Sequence, residues 1–233
     1  MRVNADFGAR VVSVPGDRAW VPSPMPGVER QMLDRVGGEV ARATSLVRYA
    51  PGSRFAEHRH PGGEEFLVLE GVFSDESGDY PAGNYVRNPI GSGHAPHTVP
   101  GCTIFVKLFQ FAADDTTAIA IDTRTEPWRQ GLVPGLAVQP LHSHGTEHTA
   151  LVRWAPGTVF NRHTHWGGEE IYVLEGTFED EFGRYPAGSW IRSPHLSSHA
   201  PFSAEGCTIF VKTGHLDEAT LSRWLAPSSS GSA

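Results

Sequence analysis

The feature that most constrains this chain is a long internal repeat. The stretch APGSRFAEHRHPGGEEFLVLEGVFSDESGDYPAGNYVRNPIGSGHAP, beginning at Ala50, aligns without a gap with APGTVFNRHTHWGGEEIYVLEGTFEDEFGRYPAGSWIRSPHLSSHAP, beginning at Ala155, 105 residues later. The same offset holds forward to GCTIFVK at Gly101 and Gly206, and backward through LVRYAPG and LVRWAPG. Further back the halves drift: PGV at Pro26 and PGL at Pro134 are 108 apart, so one copy has gained or lost three residues in a loop. Two copies of so long a unit indicate a duplicated domain, not a solenoid of many short repeats. With 233 residues, each half can bury a core of its own. The expected domains are 1–112 and 113–225, joined through the polar stretch at 112–127. The tail 226–233, APSSSGSA, has linker composition and is expected to be disordered.

Within each copy the apolar residues fall in short runs bounded by Gly and Pro. TSLVRYA, EEFLVLEG, NYVRNP and CTIFVKLFQF have the length and β-branched content of strands, and ALVRWA, EEIYVLEG, SWIRSP and CTIFVK repeat the series. PGS, PGG, ESGDYPAG and VPGC supply the turns. The fold class is therefore all-β, two tandem sandwiches or barrels. The one modest helix candidate is MLDRVGGEV, and the GG in its middle argues against it.

A net charge of −7 with no basic patch disfavours a nucleic-acid partner. No apolar run is long enough to span a membrane, and the first residues lack a signal-peptide pattern, so a cytoplasmic location is expected. Two cysteines, Cys102 and Cys207, do not make a disulfide scaffold; they read as small buried apolar residues.

Histidine carries the chemistry, with twelve copies. Copy one reads Gly52-x5-His58-x-His60-x3-Glu64-x6-Gly71, and copy two Gly157-x5-His163-x-His165-x3-Glu169-x6-Gly176. Alternation along a strand puts the imidazoles of His-x-His on one face, and a Pro/Gly turn brings the next strand back with its opening glutamate. His94 and His199 lie 30 residues beyond each glutamate. Three imidazoles and a carboxylate suit a divalent transition metal, one per half: Fe(II) for an enzyme, with Zn, Mn or Ni also compatible. Mg and Ca prefer oxygen shells. Because neighbouring strand residues face opposite ways, one glutamate of each EE pair can join the histidines; the spacing to Gly71 and Gly176 selects Glu64 and Glu169. Glu65 and Glu170 then support the ligands from behind or face solvent.

Gly-x5-His-x-His-x3-Glu-x6-Gly is the first motif of the cupin superfamily, which the chain resembles over roughly residues 15–215. The second cupin motif is looser here: Pro81-x-Gly83 and Pro186-x-Gly188 fit its start, but His94 and His199 come later than in the generic pattern. That longer gap, with GGEEFLVLEG, YPAG, RNP and GCTIFVK, is similar to the ChrR-like branch. The resemblance implies two conical cupin barrels of the double-stranded β-helix, or jelly-roll, type, with a metal at the centre of each. It also implies two functions: a zinc-holding sensor module that works beside an anti-sigma domain, or an iron-dependent dioxygenase like the acetylacetone-cleaving relatives. The anti-sigma module of that family carries a CxxC pair, which this chain lacks, so a sigma-factor role is disfavoured. The expected function is oxygenation or C–C cleavage of a small carbonyl or enolisable substrate. The alternative is a non-catalytic zinc- or ligand-binding cupin. A homodimer is a further expectation from the resemblance.

Several other residues recur at the 105 offset. Arg87 and Arg192 are candidates for holding a substrate carboxylate, although a structural salt bridge is the plainer role, and Arg48 and Arg153 have the same standing. Tyr85, Trp190, Phe105 and Phe210 are expected to pack the barrels, with Tyr85 and Trp190 also candidate pocket residues. Lys107 and Lys212 read as surface lysines at a strand edge. His142, His144 and His148 occur only in copy two and read as surface or pocket rim.

Overall fold

The computed structural model describes residues 1–38 and 40–225; the expected disorder at 226–233 falls outside the described residues. Among the described residues, the regular secondary structure is almost entirely strand. Every run expected to be a strand is one: Ala41–Tyr49, Glu64–Asp75, Asn84–Asn88 and Cys102–Leu108 in the first half, and Glu147–Trp154, Glu169–Asp180, Trp190–Ser193 and Cys207–Thr213 in the second. The described residues of MLDRVGGEV are not helical. Its first residues end the strand Val28–Gly37, which pairs antiparallel with Ala41–Tyr49. Gly37 closes that strand at φ +128°, where a Cβ would come within 2.5 Å of the Val40 carbonyl. A helix does form at Glu218–Leu225. Asp217 caps it by accepting the Thr220 N–H, and Leu216 and Leu221 pack on Phe7.

The first large sheet runs Arg2–Val3, Val28–Gly37, Ala41–Tyr49, Cys102–Leu108, Glu64–Asp75, Asn84–Asn88, Ile119–Asp122. The second runs Arg129–Gln130, Leu136–His144, Glu147–Trp154, Cys207–Thr213, Glu169–Asp180, Trp190–Ser193, Val11–Ser13. The outermost strands are exchanged between the halves. Val11–Ser13, from the start of the chain, pairs with Trp190–Ser193, in register Val11↔Arg192. Ile119–Asp122, which follows the first repeat, pairs with Asn84–Asn88, in register Ile119↔Arg87. Val11 and Ile119 are 108 apart, the offset of the early part of the repeat, so the two segments are equivalent and each completes the other copy's sheet.

The central strands Glu64–Asp75 and Cys102–Leu108, and their counterparts Glu169–Asp180 and Cys207–Thr213, are buried on both faces over most of their length. In Glu64–Asp75, Phe66 and Val68 enter the core of the first barrel with Val28, Tyr49, Ile104 and Val106. Leu67, on the opposite face, joins Leu46, Tyr85 and Phe105 against Leu151, Tyr172, Trp190 and Phe210 of the second half. Two-sided burial explains why these strands read as continuous apolar runs. Phe105 and Phe210 thus pack between the barrels, not inside them.

The interface also holds charges, which corrects the reading of the lysines. Lys107 and Lys212 are 1% exposed. Lys107 bonds to Glu170 of the other half, and Lys212 bonds to Glu65 and Glu147. Phe105 and Lys107 share a face of their strand, so the lysine follows the phenylalanine into the interface. Glu65 and Glu170 are likewise 1% exposed. Burial opposes their ionisation, but the facing lysines outweigh it and hold both carboxylates below their ordinary range.

Candidate metal centres

Two clusters of side chains converge, one in each half: His58, His60, Glu64 and His94, and His163, His165, Glu169 and His199. The local backbone explains each placement. His58–Arg59 pairs with Gly93–His94 in register His58↔His94, and His163–Thr164 pairs with Ser198–His199 in register His163↔His199. The intervening Pro/Gly turn delivers Glu64 or Glu169 at the head of a long strand. The motif's last glycine, Gly71 or Gly176, sits at positive φ against a neighbouring carbonyl, where a Cβ would come within 1.9 or 2.0 Å of an oxygen. Glycine is required there for the strands to close around the cluster.

In each cluster the ligand atoms lie within 4.8 Å of one another, a spacing that an ion with bonds of about 2.0–2.2 Å draws together by small side-chain movements. His60 and His94 Nε2 each lie 3.4 Å from Glu64 Oε2. His165 and His199 Nε2 lie 3.4 and 3.5 Å from Glu169 Oε2. These four Nε2 atoms and Glu169 Oε2 are buried and have no hydrogen-bond partner among the described residues. Buried polar atoms are rarely left unsatisfied, and these all point at a common centre.

The outward nitrogens fix the tautomers. His58 Nδ1 donates to the Ala56 carbonyl at 3.0 Å, and His163 Nδ1 to the Asn161 carbonyl at 2.9 Å. Ser92 Oγ spends its proton on the Pro89 carbonyl, so it can only accept from His60 Nδ1 at 3.1 Å. His94 Nδ1 reaches Asp75 Oδ2 at 3.1 Å and His199 Nδ1 reaches Asp180 Oδ2 at 3.4 Å. A proton on Nδ1 leaves the Nε2 lone pair facing inward, as metal ligation requires. Burial, aided by His199 and His163, pushes His165 down to about 3, and burial lowers His60 against the opposing charge of Glu64, so both stay neutral. Burial pushes Glu169 up to about 7, although the charges of His199 and Arg10 oppose it. The residues present therefore fit a divalent transition metal in each half.

The centres differ in access. The first opens on a cavity of about 460 Å³ whose wall includes His58, His60 and Glu64, with Met25, Phe55, Ile104, Val106 and Phe109 forming an apolar lining. Tyr49 also lines it. Beside the second centre is a crevice of about 240 Å³, lined by Arg10, His165, Phe182 and His199 among others. Trp154 stands at the place of Tyr49, each opposite a cysteine, Cys207 or Cys102.

The candidate pocket residues Arg87, Arg192, Tyr85 and Trp190 lie elsewhere, in the interface between the halves. Arg87 pairs with Glu65 and Asp115 and stacks over Phe111. Arg192 pairs with Asp34 at 3.1 Å and stacks over Phe7. The Tyr85 hydroxyl and the Trp190 indole N–H donate to Glu65 and Glu170, each at 2.8 Å. Both arginines are thus engaged in buried ion pairs. Arg48 forms an exposed ion pair with Glu29 and stacks on Trp20, and Arg153 stacks on Trp128. Of the histidine run, His142 is buried on Asp115, contrary to the surface reading, while His144 pairs with Asp114 and His148 with Ser143. Cys102 and Cys207 are buried, and burial pushes both thiols up to about 11. The sequence reading missed Asp75, Asp180 and Tyr49; the two aspartates recur 105 apart at the end of the strand that opens with each glutamate, which was the signal available.

Among the described residues, no helix is long and apolar enough to cross a membrane. No curated protein matches the sequence. Several solved structures share the fold. A Nostoc punctiforme protein provisionally described as a dioxygenase is 16% identical, with a TM-score of 0.69 over 88% of this chain and 82% of that one. A Pseudomonas aeruginosa protein provisionally described as glyoxylate-induced is 16% identical, with a TM-score of 0.72 over 88% of each chain. A variant of Bacillus subtilis oxalate decarboxylase is 13% identical, with a TM-score of 0.62 over 88% of this chain and 77% of that one. Residues 9–112 and 116–217 each match the family model of the ChrR cupin-like domain. With most of its length covered by two copies of that domain, the chain belongs to the ChrR cupin-like family and is a bicupin.

Proposed function

We propose that this bicupin is a metal-dependent oxidoreductase of the dioxygenase type. It would use dioxygen to oxygenate, or to cleave a C–C bond of, a small carbonyl or enolisable compound bound in the first barrel. The observation that carries this reading is the apolar cavity of about 460 Å³ with His58, His60 and Glu64 on its wall. A site meant only to hold a structural ion is closed by its ligands, whereas this one abuts space for an organic molecule. Bound Fe(II) would supply a Lewis acid for a substrate oxygen. The apolar walls would exclude water and hold the carbon skeleton. Burial and then the charge of Glu64 push the Tyr49 phenol up, so its hydroxyl keeps its proton and can donate to a substrate oxygen. The provisional description of the Nostoc protein as a dioxygenase supports the reaction class.

The test is to load the metal-free protein with Fe(II) and follow oxygen uptake against a panel of small β-dicarbonyl compounds. Substrate-dependent uptake that Val106→Phe abolishes supports the proposal. Tightly held zinc with no uptake would instead support a zinc- or ligand-binding module.

A further inference from the structure

The exchanged strands bring different residues to the two centres. Arg10 immediately precedes Val11, and Ala118 immediately precedes Ile119. Val11 pairs with Arg192 and Ile119 with Arg87, which are themselves equivalent. Arg10 and Ala118 therefore hold equivalent places in the two swapped segments.

The consequence falls on the aspartate behind each centre. Asp75 and Asp180 use Oδ1 alike. Asp75 Oδ1 accepts from the Ser77 N–H and the Tyr80 hydroxyl, and Asp180 Oδ1 from the Phe182 N–H and the Tyr185 hydroxyl. Their Oδ2 atoms differ. Asp75 Oδ2 meets His94 Nδ1 at 3.1 Å. Asp180 Oδ2 is shared: Arg10 Nη2 donates to it at 2.8 Å, and His199 Nδ1 lies farther off, at 3.4 Å. Arg10 also bonds to the Tyr185 hydroxyl at 2.9 Å and lies over the Phe182 ring, whose counterpart in the first half is Ser77.

A carboxylate behind a histidine raises the basicity of the ligand nitrogen, and disturbing such a partner changes metal affinity about 10- to 100-fold. We infer that Arg10, carried across from the first repeat, makes the two metal centres unequal by drawing Asp180 away from His199 and placing a fixed cation behind the second centre. Arg10 is a positioning residue, acting through Asp180. The first centre, with Ala118 at the equivalent place, is the tighter binder.

This inference rests on both clusters binding metal, and Co(II) titration of full-length protein separates the two claims. A His58→Ala/His60→Ala protein reports the second centre alone, and a His163→Ala/His165→Ala protein the first alone. Co(II) affinity is read by competition with a chelator, and the visible spectrum of bound Co(II) reports the coordination. The second centre should bind Co(II) about tenfold more weakly than the first. Arg10→Gln, which keeps a donor but removes the charge, should strengthen the second centre about tenfold without altering the first, while Arg10→Lys should keep the wild-type value. Ala118→Arg should weaken the first centre. Equal affinities, or an Arg10→Gln effect that is absent, reversed or shared by the first centre, would overturn the inference while leaving the metal reading intact. Absence of Co(II) binding in both single-centre proteins and in the wild type would overturn both.

Discussion

The ammonium group of Lys107 and the carboxylate of Glu170 meet across the interface between the two halves, each side chain 1% exposed. Lys212 and Glu65 repeat the pairing in the opposite sense. Each glutamate is the chain neighbour of a candidate metal ligand, Glu169 or Glu64, pointing to the other face of the same strand. One EE dipeptide thus serves the barrel interior with its first residue and the seam between barrels with its second.

Breaking one of these pairs should be costly. Lys107→Met leaves Glu170 buried without its main counter-charge, and a loss of about 3–5 kcal/mol is expected. A double variant, Lys107→Met/Glu170→Met, should lose much less, because it leaves no buried charge alone. Urea unfolding of the single and double variants, read as a double-mutant cycle, measures the difference; additive losses would contradict the pairing.

The same carboxylates set an acid limit. Their folded-state pKa values are depressed, so the stability they confer is full above the unfolded value of about 4.3 and is lost as pH falls below it. The urea midpoint should therefore drop steeply below about pH 4.3. Glu65→Gln and Glu170→Gln, though less stable at neutral pH, should show a shallower fall. An unchanged slope in both variants would remove these groups from the explanation.

Asp75 should matter to metal affinity at the first centre alone. Asp75→Asn keeps the shape of the side chain but weakens the acceptor for His94 Nδ1, so Co(II) binding there should fall about 10- to 100-fold. The second centre should be unchanged. Equal effects at both centres would mean a general loss of fold.

The fold was legible because the repeat is ungapped through the strands and ligands, and because Gly71 and Gly176 mark the one spacing that lets the strands close. What escaped was everything decided between the halves. Lys107 and Lys212 look like surface residues when charge alone is read, but each shares a strand face with a phenylalanine, Phe105 or Phe210, that the partner half buries. The exchange of Val11–Ser13 for Ile119–Asp122 could not be seen either. These strands are short, and their partners are chosen by packing between the barrels, although their 108-residue offset was present in the sequence. The helix at Glu218–Leu225 was missed despite its capping aspartate, because it has no counterpart in the first repeat.

The most direct test of the account is the metal content of protein purified without added metal and then equilibrated with Fe(II), Zn(II) or Co(II). The account predicts two equivalents of a divalent transition metal per chain, falling to one in His60→Ala and one in His165→Ala, with thermal stability rising on metal binding as linkage requires. Failure of the wild-type chain to hold any stoichiometric metal, or two equivalents retained in both variants, would contradict it.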